Sequence, residues 1–96
     1  MSTRLATLKS QREEIHMIAL RHGARSISVF GSVARGEERP ESDVDFLVEF
    51  EAGASLLNLM GLQDDLEALL GCNVDVVSAG GLKERDEHIR REAVPV

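Results

Sequence analysis

Residues 43–78 constrain the fold more than any other stretch, because they read as strand, helix, strand with little between. In DVDFLVEF, residues 43–50, Val44, Phe46, Val48 and Phe50 alternate with Asp43, Asp45, Leu47 and Glu49, which is the period of a strand. Leu59, Leu62, Leu66 and Leu69 then recur at helical spacing through residues 56–70, with Ser55 placed to cap the start and Gly71 to supply the stop. NVDVVS, residues 73–78, reads as a further strand. A helix joining two strands of one sheet implies a parallel pair with a right-handed crossover.

The flanking segments extend this unit. Residues 3–22 form an amphipathic pattern, with Leu5, Leu8, Ile15, Ile18 and Ala19 on one face, Ser2 or Thr3 as a cap and Gly23 as a stop. SISVF, residues 26–30, reads as a short strand that Gly31-Ser32 breaks. Residues 33–42 suit a helical turn and then a loop containing Pro40, a connection short enough for the first two strands to be antiparallel. Residues 82–92 read as a charged helix with Leu82, Ile89 and Ala93 toward the core, and Ala93–Val96 as an edge strand or a frayed end. The order α-β-α-β-α-β-α predicts an α/β class: one domain over residues 1–96, with a small mixed sheet flanked by helices.

Composition removes several function classes. The chain has three Phe and no Tyr or Trp, so it has few rings on which to stack bases. Its net charge of −6 argues against direct nucleic-acid binding and against an anionic membrane surface. The lone Cys72 excludes an internal disulfide and a cysteine-rich zinc site. No apolar run approaches the roughly 20 residues of a membrane span, and residues 1–14 lack the apolar centre of a signal peptide, so a cytoplasmic protein is expected. Neither G-x-x-x-x-G-K-[ST] nor G-x-G-x-x-G occurs.

The chemistry concentrates in a few residues. Asp43 and Asp45 are two apart on a strand, so both project from one face and, ionised together, repel each other. A divalent cation relieves that conflict, and Mg²⁺ takes one or two carboxylates plus phosphate oxygens. Asp75 interrupts an apolar strand in the same way, and with the strands adjacent it joins the pair, as a two-metal phosphoryl-transfer site requires. Gly31 allows backbone to approach a phosphate, the Ser32 hydroxyl and the amides after it make an anion site, and Arg35 is near enough in sequence to help. Singly these are ordinary features: a wet strand face, a turn, a surface arginine. Their order and spacing along one chain are what point to nucleotide chemistry.

Residues 31–46, GSVARGEERPESDVDF, resemble the Gly-Ser, spacer, Asp-x-Asp signature of the DNA polymerase β-like nucleotidyltransferase superfamily, and of its minimal nucleotidyltransferases in particular. VDVVS resembles the strand carrying the third carboxylate, and REAVPV the typical ending. The resemblance implies a nucleotidyltransferase fold in which Gly31 and Ser32 meet the β,γ-phosphates of ATP. It implies Asp43 and Asp45 as ligands of Mg²⁺, and Asp75 as completing the second metal site and helping to deprotonate an attacking hydroxyl. It further implies an antitoxin that transfers AMP to a tyrosine of a HEPN-domain toxin, a helical ribonuclease. Since the chain has no Tyr, such an acceptor must belong to another molecule. The alternatives are a non-catalytic antitoxin acting by steric occlusion and a small-molecule nucleotidyltransferase; a homo-oligomer is compatible with all three.

The remaining candidates have plain structural readings. His16, His22 and His88 show no metal spacing, and His22 near a helix end favours the dipole. Cys72 reads as a small buried residue, Met17 and Met60 as core, Glu37, Glu38 and Glu41 as a solvated acidic loop, and Arg85, Arg90 and Arg91 as a solvated helix face.

Overall fold

The computed structural model describes residues 4–37 and 43–96. The expected cap at Ser2 or Thr3, the loop through Pro40, and Glu38 and Glu41 lie outside the described residues. In chain order the elements are α1 (Arg4–Ser10), α2 (Arg12–Arg21), β1 (Ala24–Phe30), α3 (Ser32–Arg35), β2 (Val44–Phe50), α4 (Leu56–Leu70), β3 (Val74–Ser78), α5 (Glu87–Glu92) and β4 (Val94–Pro95). Tight 3₁₀ turns at Ala79–Gly81 and Glu84–Asp86 join β3 to α5.

The strands form one four-stranded sheet in the order β3-β2-β1-β4. β2 and β3 are parallel, as the α4 crossover demands, while β1 is antiparallel to β2 and to β4. The sheet is therefore mixed, as expected. α2 and α4 pack on the sheet and on each other. The core between them holds Ile15, Ala19, Ile27, Val29, Phe46, Val48, Leu62 and Leu66. No helix among the described residues is long and apolar enough to cross a membrane.

The joint between α2 and α4 is polar. Asn58 Nδ2 donates to the His22 carbonyl at 3.0 Å, and His22 Nε2 hydrogen-bonds the Asp65 carboxylate at 2.6 Å. The His22 ring lies so close to α4 that a Cβ built on Gly61 would stand 2.8 Å from Cε1 and 2.9 Å from Nδ1. His22 does end α2, as expected, and it also ties that end to a neighbouring helix.

Four local expectations need correction. The helix expected over residues 3–22 is interrupted at Gln11; the Ser10 hydroxyl donates to the Thr7 carbonyl at 2.7 Å, a back-bond of the kind that bends helices. Met17 and Met60 are not core, being 66% and 52% exposed. Each sits two residues from a buried neighbour (Ile15 and Leu62), which at about 100° per residue turns it to the opposite side of the helix. Cys72 is only partly buried, and Arg4 Nη1 donates to its sulfur at 3.1 Å. The helix expected over 82–92 covers only Glu87–Glu92, because the Asp86 carboxylate accepts from the Lys83 N–H at 3.2 Å and stabilises a turn instead.

The chain's last residues are an edge strand rather than a fray. Val94 pairs with Val29 and Pro95 with Ser28, a place where Pro's missing donor is harmless. His16 hydrogen-bonds the Val96 carbonyl across the same edge.

The His22–Gly61 contact yields the first prediction. Gly→Ala inside a helix ordinarily gains about 0.5–1 kcal/mol. Here Gly61→Ala is expected to lower the urea unfolding midpoint, since the new methyl displaces His22 from Asp65. A midpoint above wild type would show that the ring is free to move aside.

Candidate functional site

Three strand ends converge on the site. β1 runs into it and β2 and β3 run out of it, because β1 is antiparallel to β2 and β2 is parallel to β3. In that register Asp45 stands opposite Phe30 on one side and opposite Asp75 on the other. Val44, Phe46 and Val48 are fully buried against the helices, so the period of the strand turns Asp45 to the opposite face of the sheet. Asp75 lies in register beside it, and Asp43 immediately precedes β2.

The turn after β1 presses on this carboxylate. Gly31 has φ 75° and ψ −152°, and a Cβ built there would run into the Asp45 carboxylate, whose Cγ would be 3.3 Å away. Both the conformation and the space require glycine. Ser32 opens α3, a single short turn that Gly36 ends in the left-handed region at φ 72°. Gly31, Asp45 and Asp75 are thus brought together, with Ser32 next to Gly31 in the chain.

The electrostatics follow from this crowding. The Asp45 carboxyl is held above its ordinary range, first by burial, then by the charge of Asp75 and a hydrogen bond with it, and then by the charge of Asp43; Arg35 opposes this weakly. Asp43, Asp45 and Asp75 are the residues that could hold a hard divalent cation, and their mutual repulsion is the kind that such an ion relieves. Among the described residues no group of three or more His, Cys, Asp or Glu side chains is gathered so as to hold a metal ion by itself. An open carboxylate set of this kind suits an ion that takes its remaining ligands from phosphate and water.

Arg35 is placed differently from the expectation that it reaches for a nucleotide. Its Nε donates to Glu37 Oε2 at 3.1 Å, and its Nη1 donates to Glu92 Oε2 at 3.1 Å. These two carboxylates raise the arginine's pKa further. Glu92 Oε1 also accepts from the Gly31 N–H at 2.9 Å. That backbone bond, ahead of Arg35, holds the Glu92 carboxyl below its ordinary range against the opposing effect of burial. Sequence reasoning did not assign Glu92 a role. It lies 61 residues from Gly31, and its one local signal is an acid following two arginines at the head of the last apolar stretch. Arg90, expected on a solvated face, donates to the Ala79 carbonyl at 2.7 Å.

Beside the carboxylates, on the same face, Ser26, Ser28, Leu47, Glu49, Ala79 and Arg90 line a shallow trough of about 210 Å³. It continues the line of Asp45 along β2, since Leu47 and Glu49 follow at the period of the strand.

Two adjacent strands thus display carboxylates beside a glycine turn. The family model described as "Nucleotidyltransferase domain" matches residues 12–94, and the chain belongs to that family. Its relatives include MJ0435 of Methanocaldococcus jannaschii, provisionally named a protein adenylyltransferase, which is 45% identical over 89 residues, covering 88% of this chain and 92% of that one. The protein adenylyltransferase MntA of Thermococcus cleftensis is 54% identical over 63 residues, covering 66% of this chain and 64% of its own length. A solved structure provisionally described as a minimal nucleotidyltransferase matches with a TM-score of 0.85 and 50% identity, covering 96% of this chain and 95% of that one. The resemblance read from residues 31–46 is thereby borne out, and with it the fold. A crystal structure of a toxin–antitoxin with AMP-PNP shares the fold at a TM-score of 0.64 and 22% identity, covering 74% of this chain and 59% of its own.

The crowding at Asp45 makes a prediction about stability. A carboxyl whose pKa is higher folded than unfolded costs nothing below its unfolded value, and the cost grows as pH rises through the folded value. Asp45→Asn removes that cost and lets an amide face Asp75. In metal-free buffer the variant is therefore expected to melt above wild type at pH 7, with the gap closing as pH falls below the carboxylate range. A variant that melts lower at pH 7 would contradict this account.

Proposed function

We propose that this chain is an ATP- and Mg²⁺-dependent protein adenylyltransferase: it transfers AMP to a tyrosine hydroxyl of a HEPN-domain toxin and so acts as that toxin's antitoxin. The observation that carries the reading is the register of Asp45 opposite Asp75, with Gly31 packed against the Asp45 carboxylate. The relatives named as protein adenylyltransferases support the reaction. The toxin–antitoxin fold relative determined with AMP-PNP supports the setting and the nucleotide. The absence of Tyr from the chain requires the acceptor tyrosine to come from a partner. The reading makes this a cytoplasmic protein, where ATP is supplied.

In this mechanism Gly31 and Ser32 hold the β,γ-phosphates; Asp43, Asp45 and Asp75 would hold Mg²⁺, which when bound would supply positive charge to the phosphates and to the leaving pyrophosphate. The acceptor oxygen attacks the α-phosphorus. A P–O bond to AMP forms, the α–β P–O bond breaks, and pyrophosphate carries away the bonding pair. Asp75 takes the proton of the hydroxyl. Positioning and charge neutralisation account for the rate, without a covalent enzyme intermediate. The wet face of the sheet, where the trough continues from the carboxylates, leaves room for an acceptor strand or tail.

Incubation with α-labelled ATP, Mg²⁺ and the neighbouring-gene protein is expected to label that partner. Asp43→Asn and Asp45→Asn are each expected to lower transfer by about a thousandfold or more, in line with the loss of electrostatic stabilisation at a transition state. Gly31→Ala is expected to lower it comparably, because the methyl and the Asp45 carboxylate need the same space. Transfer that survives both Asp substitutions would overturn the mechanism. Neutralisation of the partner that persists in a triple Asp→Ala variant would favour steric occlusion instead.

A further inference from the structure

Both ends of α3 are tied to one distant carboxylate. At its start, Glu92 Oε1 accepts from the Gly31 N–H at 2.9 Å. At its end, Arg35 Nη1 donates to Glu92 Oε2 at 3.1 Å and to Oε1 at 3.3 Å. Glu92 is itself held from two directions. It is the last residue of α5, and two residues later Val94 pairs with Val29 of β1. Its side chain is 24% exposed, so it sits against the protein rather than in free solvent.

The Gly31 amide needs such a partner. The ladder between β1 and β2 ends at Phe30 and Asp45, so no strand accepts from Gly31. A half-buried donor left unpaired is costly. A carboxylate acceptor gives a charge-assisted bond, and its second oxygen is free to fix an arginine in the same plane. The depressed pKa of Glu92 agrees with this geometry. The consequence falls on Ser32. It stands between the two tethered points, and Gly31 beside it has no clearance from Asp45. A shift of the turn by even an ångström would move Ser32 relative to the carboxylates, and misplacement on that scale is expensive for transfer chemistry.

We propose that Glu92 is a positioning residue: by holding the Gly31 amide and the Arg35 guanidinium together, it fixes the Gly31–Arg35 turn, and Ser32 with it, in register with Asp45 for binding the phosphates of a nucleoside triphosphate. This rests on the functional reading given above. Arg35 accordingly serves as a strut between Glu92 and Glu37 and not as a free phosphate ligand.

The test is equilibrium binding of ATP with Mg²⁺, read beside steady-state transfer, on wild type and three variants whose folding is checked by circular dichroism and urea unfolding. Glu92→Gln retains an oxygen that can accept from Gly31. Glu92→Asp retains the charge and shortens the reach. Glu92→Ala removes both. Expected are ATP dissociation constants and KM values raised about tenfold or more in Glu92→Ala and at least about fivefold in Glu92→Asp, with kcat changed less than KM. Glu92→Gln is expected within about threefold of wild type. The Gln and Asp variants decide the matter if the Ala variant does not fold. If Glu92→Asp is folded and binds ATP as tightly as wild type, the reach of the carboxylate to Gly31 does not matter, and the proposal is overturned. If Glu92→Ala is folded and binds ATP as tightly as wild type or more tightly, Glu92 does not position the turn for the phosphates, and the proposal is again overturned. A folded wild type that binds no ATP would instead overturn the functional reading itself.

Discussion

The burial of β2 is the constraint from which the rest of the molecule follows. This strand is hydrogen-bonded on both sides, to β1 and to β3, and Val44, Phe46 and Val48 are wholly removed from water beneath α2 and α4. Once one side of a strand is committed to the core, every second residue must face the other way. Asp45 therefore emerges on the open face at the N-terminal end of β2. The parallel register of β3 brings Asp75 alongside it, and the antiparallel register of β1 delivers Gly31 to its other flank. A slip of β3 by one residue against β2 would turn Asp75 into the core, which is costly enough to keep that register fixed.

The site that results is under electrostatic tension. Three acidic residues share one corner of the sheet, and the most enclosed of them, Asp45, resists ionisation. Folding alone would not favour such a cluster; it fits a protein that holds a cation and a polyphosphate there. Counter-charge within the chain is kept a step away. Arg35 is occupied by Glu37 and Glu92 and lessens the repulsion at Asp45 only weakly. The carboxylates are left open to a ligand, while the turn beside them is fastened by a different acid.

Much of this was legible in the sequence because it depends on short periods. The helix over residues 56–70 is found at those bounds, since its leucine spacing, its cap at Ser55 and its stop at Gly71 all agree. The alternation in residues 43–50 located the central strand, and the Gly-Ser turn followed by Asp-x-Asp marked the candidate site. What was not legible depended on single side-chain bonds or on distant chain segments. The first helix breaks at Gln11, next to a Ser10 hydroxyl bonded back to the Thr7 carbonyl. Met17 and Met60 are apolar and helical, yet their angular positions turn them to solvent. His22 looks like an ordinary helix-end residue until its ring is seen seated on Gly61 and bonded to Asp65.

The sequence by itself determined the α/β class, the order of elements and the family, and it marked the candidate carboxylates and the glycine turn, because alternation and motif spacing are properties of neighbouring residues. Tertiary structure alone decided three things. It set Asp45 directly opposite Asp75, it paired the exposed Arg35 with two acids, and it carried Glu92 back across 61 residues to the Gly31 amide. Each depends on strand register and on the return path of the chain. Those are fixed by the burial of the whole core at once and not by any local stretch of residues.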